Sequence, residues 1–289
     1  MSGADKVHTV KELVALASKW LGEHDSSNPR LDAEVLLAHL LRRNRLGLWL
    51  VHDMPVDESV LSAYRALLKR RQQGEPVAYI LGRREFYGRD FAVSPACLIP
   101  RPETEHVVDA ALERLRQRAS EGRRLRCLDL GTGSGCIAIT LALECPGAEV
   151  VALDSSAAAL EVSRANAQSL NANVDFHHGD MFAFLNGSGP WDLVVSNPPY
   201  ITLNEAASLQ RDVREHEPHA ALFSGADALA FHERLLREAL PQLVAGGALV
   251  LELPALDAEG LRRLHALAGA HPMRTLPDLA GIQRVLVCG

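Results

Sequence analysis

Short β-type runs alternate with helical runs through the second half of the chain, and a glycine-rich segment follows the first β-type run. Leu125 to Leu130 predicts a buried strand, Gly131-Thr132-Gly133-Ser134-Gly135 a loop, and Cys136 to Glu144 a helix. Further strands are predicted at residues 149–154, 174–180, 192–196, 248–253, 273–276 and 284–287. Strands that alternate with helices pair in parallel through crossover connections. The sequence therefore predicts an α/β fold with a doubly wound, mostly parallel seven-stranded sheet.

The first part of the chain has a helical pattern instead. Thr9 is a predicted N-cap, with Glu12 placed to close a capping box. Amphipathic stretches follow at residues 31–41 and 57–71 and predict a small helical bundle. Apolar residues alternate with glycines at residues 75–100, which predicts a β-hairpin linker. We expect three parts: a helical domain at 1–74, a candidate for partner recognition; the β-hairpin linker at 75–100; and an α/β domain at 101–289.

Three segments near the linker carry local predictions. Val77 to Gly82 is expected to form the first part of the β-hairpin. Lys69-Arg70-Arg71 is predicted to be a solvated helix end, because cations are favourable near the negative end of a helix dipole; a docking patch for an acidic partner is the alternative. Pro102 and Glu103 suit the start of a helix that runs to about Gly122.

Composition limits the classes of function. The chain has 289 residues and a formal net charge of −6, which argues against a partner held mainly through phosphate contacts. Its five cysteines are an odd number without a C-x-x-C pair, so we expect buried thiols and no disulfide framework or metal site. No apolar run is long enough to cross a bilayer, and Met1 to Asp5 lead into a polar segment rather than a signal peptide. A cytoplasmic location without membrane contact is expected.

Two cofactors compete for a glycine loop at the first strand–helix junction, a dinucleotide and S-adenosylmethionine. The dinucleotide fingerprint is G-x-G-x-x-G, whereas this chain has G-x-G-x-G and no phosphate-binding P-loop. Asp129, just before the loop, can face the cationic amino group of a ligand. Asp154 ends the next predicted strand, where a carboxylate accepts both ribose hydroxyls. The candidate cofactor contacts are Asp129, Gly131, Thr132, Gly133, Ser134, Gly135 and Asp154.

Asp180, which ends the third predicted strand of this domain, and the two residues after it are candidates for contact with an adenine ring. The Asp180 carboxylate is predicted to accept a hydrogen bond from the exocyclic amine of adenine. Met181 and Phe182 are predicted to cover the ring. The alternative for these two apolar side chains is packing in the hydrophobic core.

Asn197-Pro198-Pro199-Tyr200 follows the apolar run Leu193-Val194-Val195. Because proline has no N–H group and restricts the residue before it, the strand must leave the sheet here in a stiff turn. Such a turn at the carboxyl end of a parallel strand can hold a backbone carbonyl oxygen and an asparagine side-chain oxygen in fixed directions, which suits an –NH2 group. The alternative is an ordinary loop punctuated by prolines.

The glycine loop, Asp154 and Asn197 to Tyr200 together resemble class I S-adenosylmethionine-dependent methyltransferases that act on a nitrogen conjugated with a planar π system. Within that group the chain is most similar to the peptide chain release factor glutamine methyltransferases. This resemblance rests on Glu75 to Ile80, Arg84 to Gly88 and Leu98 to Glu105, and it covers nearly the whole chain.

Pro100 to Glu105 is the most discriminating motif, because ribosomal-protein glutamine methyltransferases resemble it only in part. Two positions depart from the family pattern. Met181 stands where an aromatic residue is frequent, and Leu253-Pro254-Ala255 replaces a glycine-containing turn.

The resemblance implies that S-adenosylmethionine is the cofactor and that residues 101–289 form the methyltransferase domain. It implies that the substrate is the glutamine of the Gly-Gly-Gln loop in class-1 release factors, methylated on its side-chain amide nitrogen. We expect the Asn197 side-chain oxygen and the Pro198 carbonyl each to accept one amide N–H, and no general base to be needed. Tyr200 and Phe86 are expected to pack against the glutamine. The expected substrate contacts are Asn197, Pro198, Pro199, Tyr200, Phe86, Arg101 and Glu103, with Asn197, Pro198 and Tyr200 catalytic and Asn197 also beside the cofactor.

Three alternatives remain at this point. A ribosomal-protein glutamine methyltransferase shares most of the motifs. A nucleic-acid amino methyltransferase, acting for example on adenine N6, uses the same Asn-Pro-Pro-Tyr motif to hold the amino group of a flipped base. The negative net charge of the chain and the lack of an identifiable nucleic-acid-binding module argue against this alternative. A binding module that has lost activity would not need the loop, the acid and the turn together.

Overall fold

The computed structural model describes residues 8–24, 26–118, 122 and 124–289. Met1 to Asp5, predicted to lead into a polar segment, lie outside these residues. The chain divides into two compact units: Met1–Gly82 with Leu209–His216, and Arg83–Ser208 with Glu217–Gly289. The domain boundaries at residues 74 and 100 stay predictions. The sequence did not predict that a segment from late in the chain packs with the helical unit.

The first unit is built from helices around one apolar core. Its helices, numbered along the whole chain, are α1 (Val10–Gly22), α2 (Pro29–Leu40), α3 (Arg45–Leu50), α4 (Glu58–Gln72), α5 (Val77–Leu81) and, from later in the chain, α10 (Arg211–His216). The predicted capping box starts α1: the Glu12 amide donates to Thr9 Oγ1 at 3.3 Å, and the Thr9 amide donates to Glu12 Oε2 at 3.0 Å. Leu36, Leu37 and Tyr64 lie at the centre of the core.

Arg71 is buried at the end of α4, which corrects the prediction of a solvated helix end. Its Nε lies 2.7 Å from an Asp32 carboxylate oxygen, and its Nη2 lies 3.2 Å from one of Asp212 in α10. Arg70 pairs with Glu75. Arg70 and Arg71 are therefore held by specific carboxylates in addition to the helix dipole, whereas Lys69 is exposed as predicted. Asp212 connects the late segment to this unit.

The linker segment differs from its prediction in one part. Val77–Leu81 forms α5, not a strand, and Gly82 ends that helix with a left-handed φ of +69°. A five-residue apolar run is too short for its periodicity to separate a strand from a buried helical turn. The β-hairpin consists of β1 (Arg83–Phe86) and β2 (Arg89–Ala92), joined at Tyr87 and Gly88, whose φ values of 51° and 71° suit a type I′ turn.

The second unit contains the predicted sheet. Its strands are β3 (Leu125–Leu130), β4 (Ala148–Asp154), β5 (Asp175–His178), β6 (Trp191–Ser196), β9 (Leu243–Glu252), β10 (Met273–Pro277) and β11 (Gln283–Cys288). Their order is β10-β11-β9-β6-β3-β4-β5. The five strands from β9 to β5 are parallel, and β11 is antiparallel to both of its neighbours. The doubly wound, mostly parallel seven-stranded sheet is confirmed.

Helices cover both faces of the sheet. In the described ranges they are α6 (Thr104–Arg118), α7 (Cys136–Glu144), α8 (Ala157–Leu170), α9 (Met181–Ser188), α11 (His219–Leu222), α12 (Ala230–Ala239) and α13 (Ala258–Ala268). Alternate residues of β3 enter two core clusters: Cys127 packs in the cluster that includes α6 and α7, and Leu128 in the cluster that includes α9 and α12. Because both faces of the sheet are buried, its strands are nearly continuous apolar runs in the sequence.

Short elements follow the Asn-Pro-Pro-Tyr turn. β7 (Ile201–Thr202) pairs in parallel with β8 (Phe223–Gly225), and the 3₁₀ helix Leu203–Ser208 lies between them in sequence. Four of the five cysteines are buried, as predicted, and all five, which lie in the described ranges, are free thiols. Among the helices in the described ranges, none has both the length and the apolar composition that a bilayer crossing requires.

Candidate active site

The two motifs singled out in the sequence meet at one edge of the sheet. β3 lies between β4 and β6, and Leu130 at the end of β3 is in register with Leu153 and Ser196. The Ser196 hydroxyl donates to the Leu130 carbonyl at 2.6 Å. The loop after β3 and the turn after β6 therefore leave the sheet side by side, where the strand order of an open α/β sheet reverses and ligands bind.

One cavity in the second unit is lined by residues of both motifs. The predicted site residues that line it are Arg101, Gly131, Thr132, Gly133, Ser134, Asp154, Met181, Asn197, Pro198 and Pro199. Residues that the sequence did not predict as ligand contacts also line it, among them Cys97, Thr104, Pro218 and Ala221. The glycine loop and the Asn-Pro-Pro turn can thus contact neighbouring parts of bound ligands.

The backbone of the glycine loop adopts conformations that would be strained in residues with a Cβ atom. Gly131 and Gly133 have φ values of +74° and +57°, in the left-handed region. The amides of Gly131 and Thr132 both donate to the Leu153 carbonyl, at 2.9 and 3.0 Å. This pairing turns the loop across the end of β4 and toward the cavity.

Gly135, predicted as a cofactor contact, does not line the cavity. Its φ is +83°, and a Cβ there would stand 2.8 Å from Ile139 Cδ1 and 3.0 Å from Ser163 Cβ. Gly135 therefore allows the start of α7 to pack closely against α8.

Asp129 is buried next to the loop, with an exposed fraction of 1%, and does not itself line the cavity. Its Oδ2 accepts hydrogen bonds from Thr132 Oγ1 at 2.7 Å and from the Ala138 amide at 3.2 Å. Its Oδ1 is buried without a hydrogen-bond partner in the part of the chain that the structure describes. Burial raises the pKa of Asp129 to about 7. A buried carboxylate oxygen without a donor suits a cationic group such as an ammonium.

Asp154 ends β4 and lines the cavity. Its Oδ2 accepts from the Gly133 amide and its Oδ1 from the Ser156 amide, both at 2.8 Å. Each oxygen keeps a further lone pair. The carboxylate can therefore fix the loop and accept two hydroxyl groups of a ligand at once.

The Asn197 side chain is held from the side of α6. Asn197 Nδ2 donates to Thr104 Oγ1 at 3.2 Å, and Thr104 Oγ1 donates to Glu252 Oε2 at 2.5 Å. The Tyr200 hydroxyl donates to the other oxygen, Glu252 Oε1, at 3.3 Å. Tyr200 does not line the cavity. Thr104 and Glu252, which sequence reasoning missed as site residues, form the inner wall of this turn.

Arg101, an expected substrate contact, lines the cavity and forms an ion pair with the buried Glu217. The second oxygen of Glu217 accepts from the Ile99 amide at 3.1 Å. Glu103 is exposed and does not line the cavity. The discriminating proline-rich motif therefore shapes the cavity wall through Arg101 and Thr104.

Three predicted contacts lie elsewhere in the second unit. Phe86 is 1% exposed and packs edge-on against Phe91 with ring centroids 6.0 Å apart, which argues against contact with a substrate. Phe182 lies in the core with the Arg234 guanidinium carbon 3.6 Å from its ring centroid, in agreement with the alternative of core packing. The exposed Asp180 caps α9 by accepting from the Phe182 and Ala183 amides, at 3.0 and 2.9 Å. Neither Phe182 nor Asp180 lines the cavity, whereas Met181 does.

Two cysteine thiols line the cavity but are poor nucleophiles. Burial raises the pKa of Cys97 to about 11 and that of Cys136 to about 12. Because the thiolate is the reactive form, both groups stay protonated near neutral pH. The cavity is thus not suited to covalent catalysis by either thiol.

Family models match both units in sequence. The model of the PrmC N-terminal domain matches residues 12–82, and that of the methyltransferase small domain matches residues 104–215. A release factor glutamine methyltransferase from Koribacter versatilis is 40% identical over 96% of this chain and 98% of its own length. One from Bordetella pertussis is 46% identical over 90% of this chain and 95% of its own length.

The chain belongs to the release factor glutamine methyltransferase family. Among solved structures, the hMettl16 catalytic domain in complex with a 3′UTR hairpin has a TM-score of 0.55 at 15% identity, covering 77% of this chain and 80% of that one. At this identity the likeness concerns the fold alone. The family's methyltransferase fold thus carries the glycine loop and the Asn-Pro-Pro turn at one edge of its sheet.

Proposed function

We propose that this family member transfers a methyl group from S-adenosylmethionine to the side-chain amide nitrogen of the glutamine in the Gly-Gly-Gln motif of class-1 peptide chain release factors. The observation that carries the proposal is the shared cavity, in which Asn197 and Pro198 stand beside the glycine loop and Asp154. The relatives' name supports the release factor as substrate. Release factors act with the ribosome, so the reaction takes place in the cytoplasm.

S-adenosylmethionine fits the residues on the glycine-loop side. Asp129 would receive the methionine ammonium, because its Oδ1 is buried and has no hydrogen-bond partner among the described residues. Asp154 would accept the ribose hydroxyls with the lone pairs that the Gly133 and Ser156 amides leave open. When bound, the cofactor supplies an electrophilic methyl group on a sulfonium centre. Met181, which lines the cavity, would cover part of the adenine.

The acceptor nitrogen is a poor nucleophile, because its lone pair is delocalised into the amide carbonyl. Asn197 Oδ1 and the Pro198 carbonyl each accept one N–H of the glutamine amide. Both oxygens interact more strongly with the partly positive, more pyramidal nitrogen of the transition state than with the planar ground state. The stiff proline turn fixes their directions and holds the nitrogen in line for attack. These residues therefore supply differential stabilisation and orientation.

Proton release needs no general base in this scheme. Burial raises the pKa of Tyr200, so its phenol stays neutral and donates to Glu252. The N-methylated nitrogen is cationic and gives its proton to water. The cavity's polar residues serve to bind and orient the amide rather than to abstract a proton.

The comparisons do not favour the two other acceptors. Relatives named for release factors cover nearly the whole chain at 40% and 46% identity. The RNA-bound structure shares only the fold. Neither a ribosomal protein nor a nucleic-acid base is therefore assigned as substrate.

Transfer of a labelled methyl group distinguishes these acceptors. The purified protein is incubated with methyl-labelled S-adenosylmethionine and, separately, with a class-1 release factor, ribosomal proteins, DNA or RNA. We expect label in the release factor and background counts in the other samples. A release factor whose Gly-Gly-Gln glutamine is replaced by glutamate is the matched control and should stay unlabelled. Equal labelling of that control, or preferred labelling of nucleic acid, would refute the proposal.

A further inference from the structure

A buried chain of hydrogen bonds runs from Glu252 to the Asn197 side chain. Thr104 and Glu252 are 2% and 1% exposed, and they lie at the start of α6 and the end of β9. Thr104 Oγ1 stands 2.5 Å from Glu252 Oε2 and 3.2 Å from Asn197 Nδ2. All of these contacts join side chains of the chain itself.

The direction of this chain determines which end of the asparagine amide is free. An ionised carboxylate can only accept, so the single hydroxyl proton of Thr104 is donated to Glu252. Thr104 Oγ1 then has only lone pairs for Asn197, and it must face the Nδ2 donor rather than Oδ1. Because Asn197 lines the cavity, its Oδ1 remains as the acceptor for a ligand. A reversed amide would present an N–H group and repel the N–H of a glutamine side chain.

We propose that Glu252, acting through the Thr104 hydroxyl, is the positioning residue that keeps Asn197 Oδ1 directed at the substrate amide. The inference rests on the proposed function, since it assigns the cause of the asparagine orientation that amide methylation requires. Neither Glu252 nor Thr104 touches the reacting atoms in this scheme. Their role is to fix the donor and acceptor ends of a side chain that does.

The surroundings of Glu252 make its charge sensitive to pH. Burial raises the pKa of Glu252 to about 7, and the Glu103 charge acts in the same direction. The hydrogen bonds from Thr104 and Tyr200 and the Arg284 charge on β11 act in the opposite direction.

His232 of α12 faces the same residue, with Nε2 lying 2.7 Å from the Glu252 backbone carbonyl, and burial lowers the pKa of its imidazole. Below about pH 7 a protonated Glu252 can donate to Thr104 Oγ1, which turns the hydroxyl proton toward Asn197 and favours the reversed amide.

Thr104→Val tests the chain at its centre without changing the shape of the side chain. Removing the hydroxyl leaves Asn197 Nδ2 without its acceptor, so we expect kcat for release factor methylation to fall about 10²-fold, as for loss of one preorganised polar contact. Affinity for S-adenosylmethionine, measured by calorimetry, should stay within about threefold and shows that the domain is folded. Thr104→Ser restores the hydroxyl and should recover kcat to within about fivefold of wild type. A Thr104→Val enzyme with wild-type kcat overturns the proposal.

The pH profile tests Glu252 itself. At saturating cofactor, wild-type kcat should fall as the pH is lowered from about 8 to 6, because the kcat profile reports groups in the bound complex. Glu252→Gln cannot titrate and should remove this fall, whereas Glu149→Gln, a surface control beside Arg126, should keep it. A Glu252→Gln enzyme that retains the wild-type pH dependence overturns the assignment.

A spectroscopic measurement separates this proposal from the proposed function. In the unliganded, isotopically labelled protein, the Asn197 side-chain NH2 resonances should shift with pH near about 7 in wild type and not in Glu252→Gln. This result is independent of any substrate. If the wild type fails to methylate release factors, the proposed function fails while the NMR titration still decides the positioning role. If the wild type is active but the resonances do not titrate, only the positioning role is overturned.

Discussion

Removal of the Asp154 carboxylate tests the cofactor side of the cavity. Each of its oxygens accepts one backbone N–H, from Gly133 and from Ser156 at 2.8 Å, and each has one lone pair left for a ribose hydroxyl. A hydrogen bond to a charged group contributes about 1.5–3 kcal/mol. Allowing for hydration of the released hydroxyls, Asp154→Ala should cost about 2–4 kcal/mol of binding free energy, which is roughly 30- to 10³-fold in Kd.

Calorimetric titration with S-adenosylmethionine measures this change directly. Asp175→Ala removes an exposed carboxylate from the neighbouring strand β5, where it pairs with His177 at 2.9 Å, and should leave Kd within about twofold. At saturating cofactor, kcat of Asp154→Ala should stay close to wild type, because Asp154 does not contact the acceptor nitrogen. An Asp154→Ala protein with unchanged Tm and a Kd within about threefold of wild type would remove this residue from the ribose site.

Three further predictions concern stability and pH. Arg71→Ala leaves the buried Asp32 carboxylate unpaired and should lower the free energy of unfolding by about 3–5 kcal/mol in a urea titration; a loss below about 1 kcal/mol would show that this ion pair is not structural. Gly135→Ala forces a Cβ to 2.8 Å from Ile139 Cδ1 at a positive φ and should lower Tm by several degrees, and an unchanged Tm would contradict the packing argument. Because burial raises the pKa of Asp129 to about 7, cofactor affinity should weaken as the pH falls through that value. The unliganded protein should become more stable over the same interval, since the folded state binds the proton more tightly; calorimetry and thermal unfolding measure the two opposite slopes.

Local signals were enough to predict the centre of the fold. The apolar run of β3, the glycines after it and the acid that ends β4 follow each other within a short stretch of sequence. The two prolines after Asn197 stop β6 at the sheet edge for a purely local reason. Topology then places both segments side by side, because β3 and β6 are neighbouring parallel strands and end at the same edge of the sheet.

Contacts between distant residues could not be read from the sequence. Arg71 looked like a solvated cation because its partner Asp212 lies 141 residues away. The Val77–Leu81 helix was misassigned because five apolar residues fit a strand and a helical turn equally well. In each case packing, not local pattern, determined the structure.

Thr104 and Glu252 show the same limit within the active site. They are 148 residues apart in sequence, and Thr104 looked like part of a helix start. One signal was available, because Glu252 ends an apolar parallel strand, as Asp154 does. Burial of a carboxylate at that edge of the sheet costs free energy, so its presence there indicates a functional role. Phe86 and Phe182 show the opposite limit, because an aromatic side chain near a site is equally suited to the core, where both lie.

Mass spectrometry of the treated release factor measures whether Asn197 helps to methylate one glutamine nitrogen. Wild-type protein with S-adenosylmethionine should add a single methyl group that fragmentation assigns to the Gly-Gly-Gln glutamine. Asn197→Ala should bind the cofactor normally and add the same group about 10²-fold more slowly. A methyl group on another residue, or an Asn197→Ala enzyme as fast as wild type, would contradict the account.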